Sequence, residues 1–402
     1  MRHSCGVAVN GPLATFVDSF WADLAAQGYT PLSAANQLRM MAHLSRWLEA
    51  EGLDASGLNA ERVEQFLVAR RSAGYTCWRA QRGMAALLGH LRGIGVSPEP
   101  VPVAPASATD VLLAEYVGYL CSERGLAAST VERYEAVARS FLWASRAEGD
   151  QDVARLSARD VTRFMTGQCR GRSTAFAKHT VTDLRAFLRF LHLSGRTQFS
   201  LAPAVPAVAG WRGSSLPRAL APAQVAALLS SSDRTTAVGR RDFAVLVLLA
   251  RLGLRAVEVA QLRLEDFDWS RGDVLVRGKA NRLERLPVPA DVGDAVAAYL
   301  RSGRPQSELP ELFLRARAPQ GALGQGGVKA LVRGAARRAG LGPVGPHALR
   351  HSVATDMLRN GVPISDIAQV LRHASTLTTA IYVKVDRDAL RLLAEPWPGA
   401  RP

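Results

Sequence analysis

The chain has 402 residues, 48% of them hydrophobic, which is more than one ordinary core needs, so two or three domains are expected. Its formal net charge is +15, from 46 Arg and 4 Lys against 35 acidic residues, and a GC-rich genome explains the choice of Arg over Lys but not the surplus; a polyanion, above all nucleic acid, is the expected partner. Cys5, Cys77, Cys121 and Cys169 stand far apart with no C-x-x-C pair, which argues against a metal site or a disulfide framework and fits a reducing cytoplasm.

In chain order, no charged-then-apolar signal pattern opens the sequence. Two stretches rich in Pro, Ala and Ser, 95–109 and 201–218, lack helical periodicity and carry prolines that resist helix. They divide the chain into three parts, 1–104, 105–207 and 208–402. The first two read as copies. Gly28-Tyr29-Thr30 precedes an amphipathic run ending at Trp47-Leu48, and Leu58-Asn59-Ala60 opens a second run through Phe66-Leu67. Gly125-Leu126 and Ser129-Thr130 precede the matching run to Trp143, and Leu156-Ser157-Ala158 opens its successor through Phe164-Met165. Asn or Ser before the run is an N-cap signal, so each copy predicts a unit of four or five helices.

The third part is helical with one interruption. Asp273–Arg277 and Glu284–Val288 alternate like strands around a turn of Gly278, Lys279, Ala280 and Asn281, which predicts a β-hairpin. The apolar run Phe243–Ala250 ends at Arg251, far too short to span a bilayer, so a soluble protein without membrane attachment is expected. Pro346 suits a helix first turn, and His347 and Arg350, three apart, then share a face. After the break at Asn360-Gly361-Val362-Pro363 comes an apolar helix over Ile364–Leu371, then His373, then Tyr382 nine residues later.

The order His347-x-x-Arg350, His373, Tyr382, with Gly253-Leu254-Arg255-Ala256-Val257-Glu258 upstream, resembles the tyrosine recombinase (phage integrase) family. The likeness covers about 185 residues in detail and extends in outline over 110–200. It implies a mainly α fold with a small β-hairpin or sheet. Two N-terminal helical units, SAM-like and core-binding, would precede a catalytic domain with an Xer-like arrangement. It also implies a catalytic set of Arg255, Lys279, His347, Arg350, His373 and the nucleophile Tyr382, with Glu258 in support.

The chemistry matches these residue types. Attack of a protein hydroxyl on a phosphodiester gathers negative charge in a phosphorane, and guanidinium groups donate paired, permanently charged hydrogen bonds to its oxygens. A tyrosine phenol, with a pKa near ~10, needs a base or a positive site, which His347 supplies. An amine can release a proton to a departing 5′ oxygen where guanidinium cannot, and Lys279 is one of only four lysines. The family's glycine before the last histidine suits a left-handed cap; Arg372 stands there and predicts a differently shaped loop. No paired-metal acidic cluster and no Walker loop occur, so neither metal nor nucleotide cofactor is expected.

The resemblance further implies duplex DNA with specific recombination sites as substrate, and a homo-tetramer or a hetero-complex with related recombinases. Integration, excision or transposition of a mobile element is the expected role, through a 3′-phosphotyrosyl intermediate. The alternatives are a type IB topoisomerase-like relaxing enzyme and a non-catalytic DNA-binding accessory factor.

Overall fold

A computed structural model describes residues 6–78, 80–98, 107–147, 150–209, 219–278 and 282–372. Packing groups the chain into two compact units, one of Met1–Glu99 with Ser215–Pro402, the other of Pro100–Ser214.

Within the first unit, the leading segment folds as α1 (Val17–Ala26), α2 (Pro31–Ala50), α3 (Ala60–Ser72) and α4 (Ala85–Gly93). The Thr30 hydroxyl accepts from the Ser33 amide at 3.3 Å while Pro31 occupies the first turn, and the Asn59 side chain accepts from the Arg62 amide at 2.9 Å. Each thereby satisfies an amide that a helix start leaves unpaired. Phe20, Leu24, Leu38, Met40, Met41 and Leu87 form a fully buried core. His90 of α4 bridges Ser19 and Asp23 of α1 at 3.0 and 3.1 Å. Arg70 is 4% exposed, with its guanidinium over the Tyr75 ring at 4.1 Å and near Phe66 and Trp78.

The second unit comprises α5 (Ala108–Ser122), α6 (Ala128–Ser145), the short α7 (Asp150–Ala154), α8 (Ala158–Cys169) and α9 (Thr174–Leu193). At the start of α8 the Asp160 carboxylate reaches back to accept from the Ser157 amide at 3.1 Å and from its hydroxyl at 2.7 Å. Tyr116 meets Phe187 and Phe190 with ring centroids 5.0 Å apart, and Phe141 meets Phe164 at 5.3 Å. Helix α6 begins 97 residues after α2, and α8 begins 98 after α3.

Returning to the first unit, residues 219–372 form α10 (Pro222–Ser230), α11 (Ala237–Arg251), α12 (Ala256–Ala260), strands β1 (Phe267–Asp268), β2 (Asp273–Arg277) and β3 (Leu283–Pro287), and then α13 (Ala290–Ser302), α14 (Gln325–Arg338), α15 (Pro346–Arg359) and α16 (Ile364–Val370). The apolar run noted in the sequence is the middle of α11, whose Ala244–Leu249 are buried. It packs against α10, α13, α14 and α15 and forms the centre of the core. The sheet has order β1-β2-β3, antiparallel throughout, with Val274 opposite Leu286 and Val276 opposite Glu284. Alternation along β2 buries Val274 and Val276 and turns the neighbouring side chains outward. The two-residue β1 escaped the sequence, because a strand so short shows no period.

Candidate functional site

The site begins where α11 ends. Gly253 turns the chain with φ +58°, and a Cβ there would lie 2.7 Å from Leu371 Cδ2, so both the conformation and the close approach call for glycine. The turn delivers Arg255 to the N-cap of α12. Glu258, at the third helical position, reaches back to accept from the Arg255 amide at 2.8 Å. Its other oxygen accepts from Arg255 Nη1 at 2.6 Å. One carboxylate therefore fixes both ends of the same arginine. The Glu258 side chain is 1% exposed, and burial alone would raise its pKa. The Arg372 charge, the Arg255 amide and the Arg255 guanidinium outweigh that and hold it below the usual 4.5, so it stays ionised.

Arg350 comes from α15, which Pro346 opens at its first turn. The side chain turns inward, and the residue is 4% exposed. Nη1 donates to the Gly253 carbonyl at 2.6 Å, and Nη2 donates to the Leu371 carbonyl. Those two carbonyls belong to segments 118 positions apart, so Arg350 laces the end of α11 to the end of α16. Arg255 repeats the pattern, with Nη2 donating to the Arg372 carbonyl at 3.2 Å. Its side chain remains 28% exposed, so this guanidinium is the one that still faces solvent.

His347 lies one turn before Arg350 on α15 and is exposed. Partial desolvation, then the charges of Arg350, Arg255 and Lys329, hold its pKa below the usual 6.5. A helix N-terminus adds to the same effect. The ring is therefore neutral at pH 7, with a nitrogen free to accept a proton.

Of the seven residues singled out by the sequence, the structure gathers Arg255, Glu258, His347 and Arg350. Lys279, His373 and Tyr382 lie outside the described residues. The hairpin that carries Lys279 is described up to its turn. Gly278 donates to the Arg282 carbonyl at 2.7 Å across that turn, and Arg277, the last residue of β2, pairs with buried Asp266.

Arg372 itself takes the left-handed conformation, with φ +54°; the loop after it, expected to differ in shape, lies outside the described residues. The Arg372 side chain is 3% exposed and donates to Glu258 Oε2 at 2.8 Å. Sequence reasoning treated Arg372 only as a departure and missed this pairing. It also missed Lys329 of α14, whose charge acts on His347; the scarcity of lysine in the chain was the available signal. Two guanidiniums set by backbone carbonyls, one of them open to solvent, beside a neutral imidazole at a helix start, suit a phosphate-like anion whose charge grows during reaction. Among the described residues, no three His, Cys, Asp or Glu side chains group as a metal site.

Comparison with known proteins adds to this geometry. The model of the phage integrase family matches residues 218–388. The Sinorhizobium fredii protein y4rA, named as an integrase/recombinase, is 41% identical over 97% of this chain and 95% of its own length. Tyrosine recombinase XerD of Listeria monocytogenes is 32% identical over 70% of this chain and 96% of its own. Among solved structures, the XerH site-specific recombinase bound to palindromic difH substrate aligns with a TM-score of 0.56 over 74% of this chain and 99% of that one, at 18% identity, a likeness of fold.

Proposed function

The chain belongs to the phage integrase family of tyrosine recombinases, enzymes that break and rejoin DNA at specific sites, and on that premise we propose how its residues divide the work. Tyr382 attacks a DNA phosphorus. A P–O bond forms to its phenolic oxygen, the bond to the 5′ oxygen breaks, and a 3′-phosphotyrosyl ester and a free 5′ hydroxyl result. His347 accepts the phenol proton, and Lys279 gives a proton to the departing 5′ oxygen. Arg255 and Arg350 hold the non-bridging oxygens, with His373 as a further donor. Glu258 orients Arg255. A second 5′ hydroxyl reverses the sequence on a new strand. The ester conserves the energy of the broken bond, so the reaction needs neither metal nor nucleotide cofactor.

The observation that carries this reading is the joint anchoring of Arg255 and Arg350 by the carbonyls of residues 371 and 372, immediately before the segment bearing His373 and Tyr382.

In this reading residues 105–207 bind the core site and 208–402 cut it, while 1–104 lengthens the footprint on DNA. Four protomers, either identical or shared with related recombinases, exchange strands between two duplex sites in the cytoplasm. The role is integration, excision or transposition of a mobile element. The net charge of +15 supports the duplex partner, and no helix among the described residues is long and apolar enough to cross a membrane.

The test is a duplex nicked next to the scissile phosphate, so that the short 5′-hydroxyl fragment diffuses away and traps the covalent complex. Wild-type protein should form an adduct that survives denaturation, and Tyr382→Phe should form none. An adduct with the Phe variant, or none with wild type, defeats the proposal.

A further inference from the structure

Arg372 makes more contacts with the site than its place at the end of a short helix requires. Its backbone is left-handed, a conformation that costs a side-chain-bearing residue about 1 kcal/mol or more. Its side chain, 3% exposed, lies against a carboxylate that is itself 1% exposed. A single charge in such a place is costly, and a hydrogen-bonded pair is tolerated. The pairing is shared: Glu258 Oε2 accepts from Arg372 Nη2 at 2.8 Å and from the Arg255 amide at 2.8 Å, while Oε1 accepts from Arg255 Nη1 at 2.6 Å. Arg372 also returns to Arg255 through its backbone, since its carbonyl accepts from Arg255 Nη2 at 3.2 Å. Arg255 is thus gripped on one side by the Arg372 carbonyl and on the other by a carboxylate that the Arg372 side chain steadies.

We propose that Arg372 is a positioning residue that sets the orientation of Arg255 through Glu258 and does not itself touch DNA. The ion pair that commits its Nη2 to Glu258 and the closed ring of Arg255, Glu258 and Arg372 carry the inference. Without the Arg372 guanidinium, Glu258 Oε2 loses its charged partner and keeps only the Arg255 amide, so the carboxylate is held less firmly. The Arg255 head is then aimed less tightly, although every group that meets phosphate is still present. Misplacement of a catalytic group by about 1 Å costs on the order of 100-fold in rate. The proposal rests on the recombinase reading above, and the experiment separates the two.

Single-turnover formation of the covalent adduct on the nicked duplex is measured beside DNA affinity and thermal melting, for Arg372→Gln, Arg372→Lys, Glu258→Gln and the double variant Arg372→Gln/Glu258→Gln. Arg372→Gln is expected to slow adduct formation about 10- to 100-fold with affinity within about threefold of wild type. The double variant should be no slower than Glu258→Gln alone, because both changes break one linkage. Arg372→Lys keeps the buried charge and should recover part of the rate, which keeps the test usable if the glutamine variant melts early. A wild-type rate in Arg372→Gln overturns the proposal. So does a loss that multiplies with that of Glu258→Gln, which would mark an independent contact with DNA, and so does a loss of affinity matching the loss of rate. Failure of the wild-type protein to form any adduct would strike the recombinase reading itself.

Discussion

Arg70 and Arg350 are equally buried, each 4% exposed, yet they sit in opposite surroundings. Arg70 lies in the leading helical segment among the faces of Tyr75, Phe66 and Trp78, and donates a hydrogen bond to the Cys77 carbonyl at 3.3 Å. Ring faces attract a cation from any direction within the cage, so this contact stabilises without aiming. Arg350 is instead held by the carbonyls of Gly253 and Leu371, which fix the plane of its guanidinium. The background charge differs as well. Residues 1–99 carry nine arginines, no lysine and eight acidic residues, a net charge of +1, whereas residues 215–402 carry 27 basic and 17 acidic residues, a net charge of +10. A buried arginine is therefore not a site by itself; directional partners in a cationic surround distinguish one.

The sharpest way to break this contrast is to remove each arginine in turn. Arg350→Ala should lower adduct formation at least 10²- to 10³-fold, as loss of a charged donor to a developing oxyanion does. Arg70→Met should leave the rate of cutting within about twofold and cost roughly 1–3 kcal/mol of stability, read by denaturant unfolding. If Arg70→Met stops cleavage as Arg350→Ala does, the distinction between caging and aiming fails.

Next in size, Gly253→Ala tests the frame around Arg350. A left-handed alanine costs about 1–2 kcal/mol, and a shifted Gly253 carbonyl should slow cutting beyond that loss of stability. A stable variant with full activity would show that the turn does not aim Arg350.

The acid limb of activity comes third. His347 titrates below 6.5, so cutting should hold at pH 6.5 and fall only under more acid conditions, and His347→Gln should flatten that limb. His351 is shifted the same way, by burial first and then by His347 and Arg350. The unfolded chain takes up these protons near pH 6.5 while the folded chain does not. Stability should therefore be unaffected above 6.5 and decline as pH falls below it. A limb centred above 6.5 would contradict the cationic surround.

The smallest effect concerns salt. Deleting residues 1–98, with their small net charge, should change the slope of log affinity against log salt by less than about one unit. A larger change would show that the leading segment binds DNA by charge.

Much of this was legible from residue order alone. The starts of α3 and α8 show because Asn59 and Ser157 stand at their N-caps, and helix starts are local chemistry. The hairpin shows because β2 alternates. Arg255 and Glu258 lie three residues apart, so their pairing is a short-range matter of one helix start. The Arg372–Glu258 pair spans 114 positions, and nothing local marks it. At that position sequence reasoning weighed only backbone strain. The buried carboxylate that pairs with the Arg372 side chain does not show in residue order.

The lacing of Gly253 and Leu371 by Arg350 also bears on the order in which the protein matures. The two carbonyls belong to segments more than a hundred residues apart, and the arginine that joins them lies between, so closing this contact is a long-range event. Until the end of α16 has docked, neither Arg255 nor Arg350 has its full set of partners. On the division of work proposed above, a half-folded chain would lack the means to nick DNA, and the ability to cut would arrive only with the completed fold.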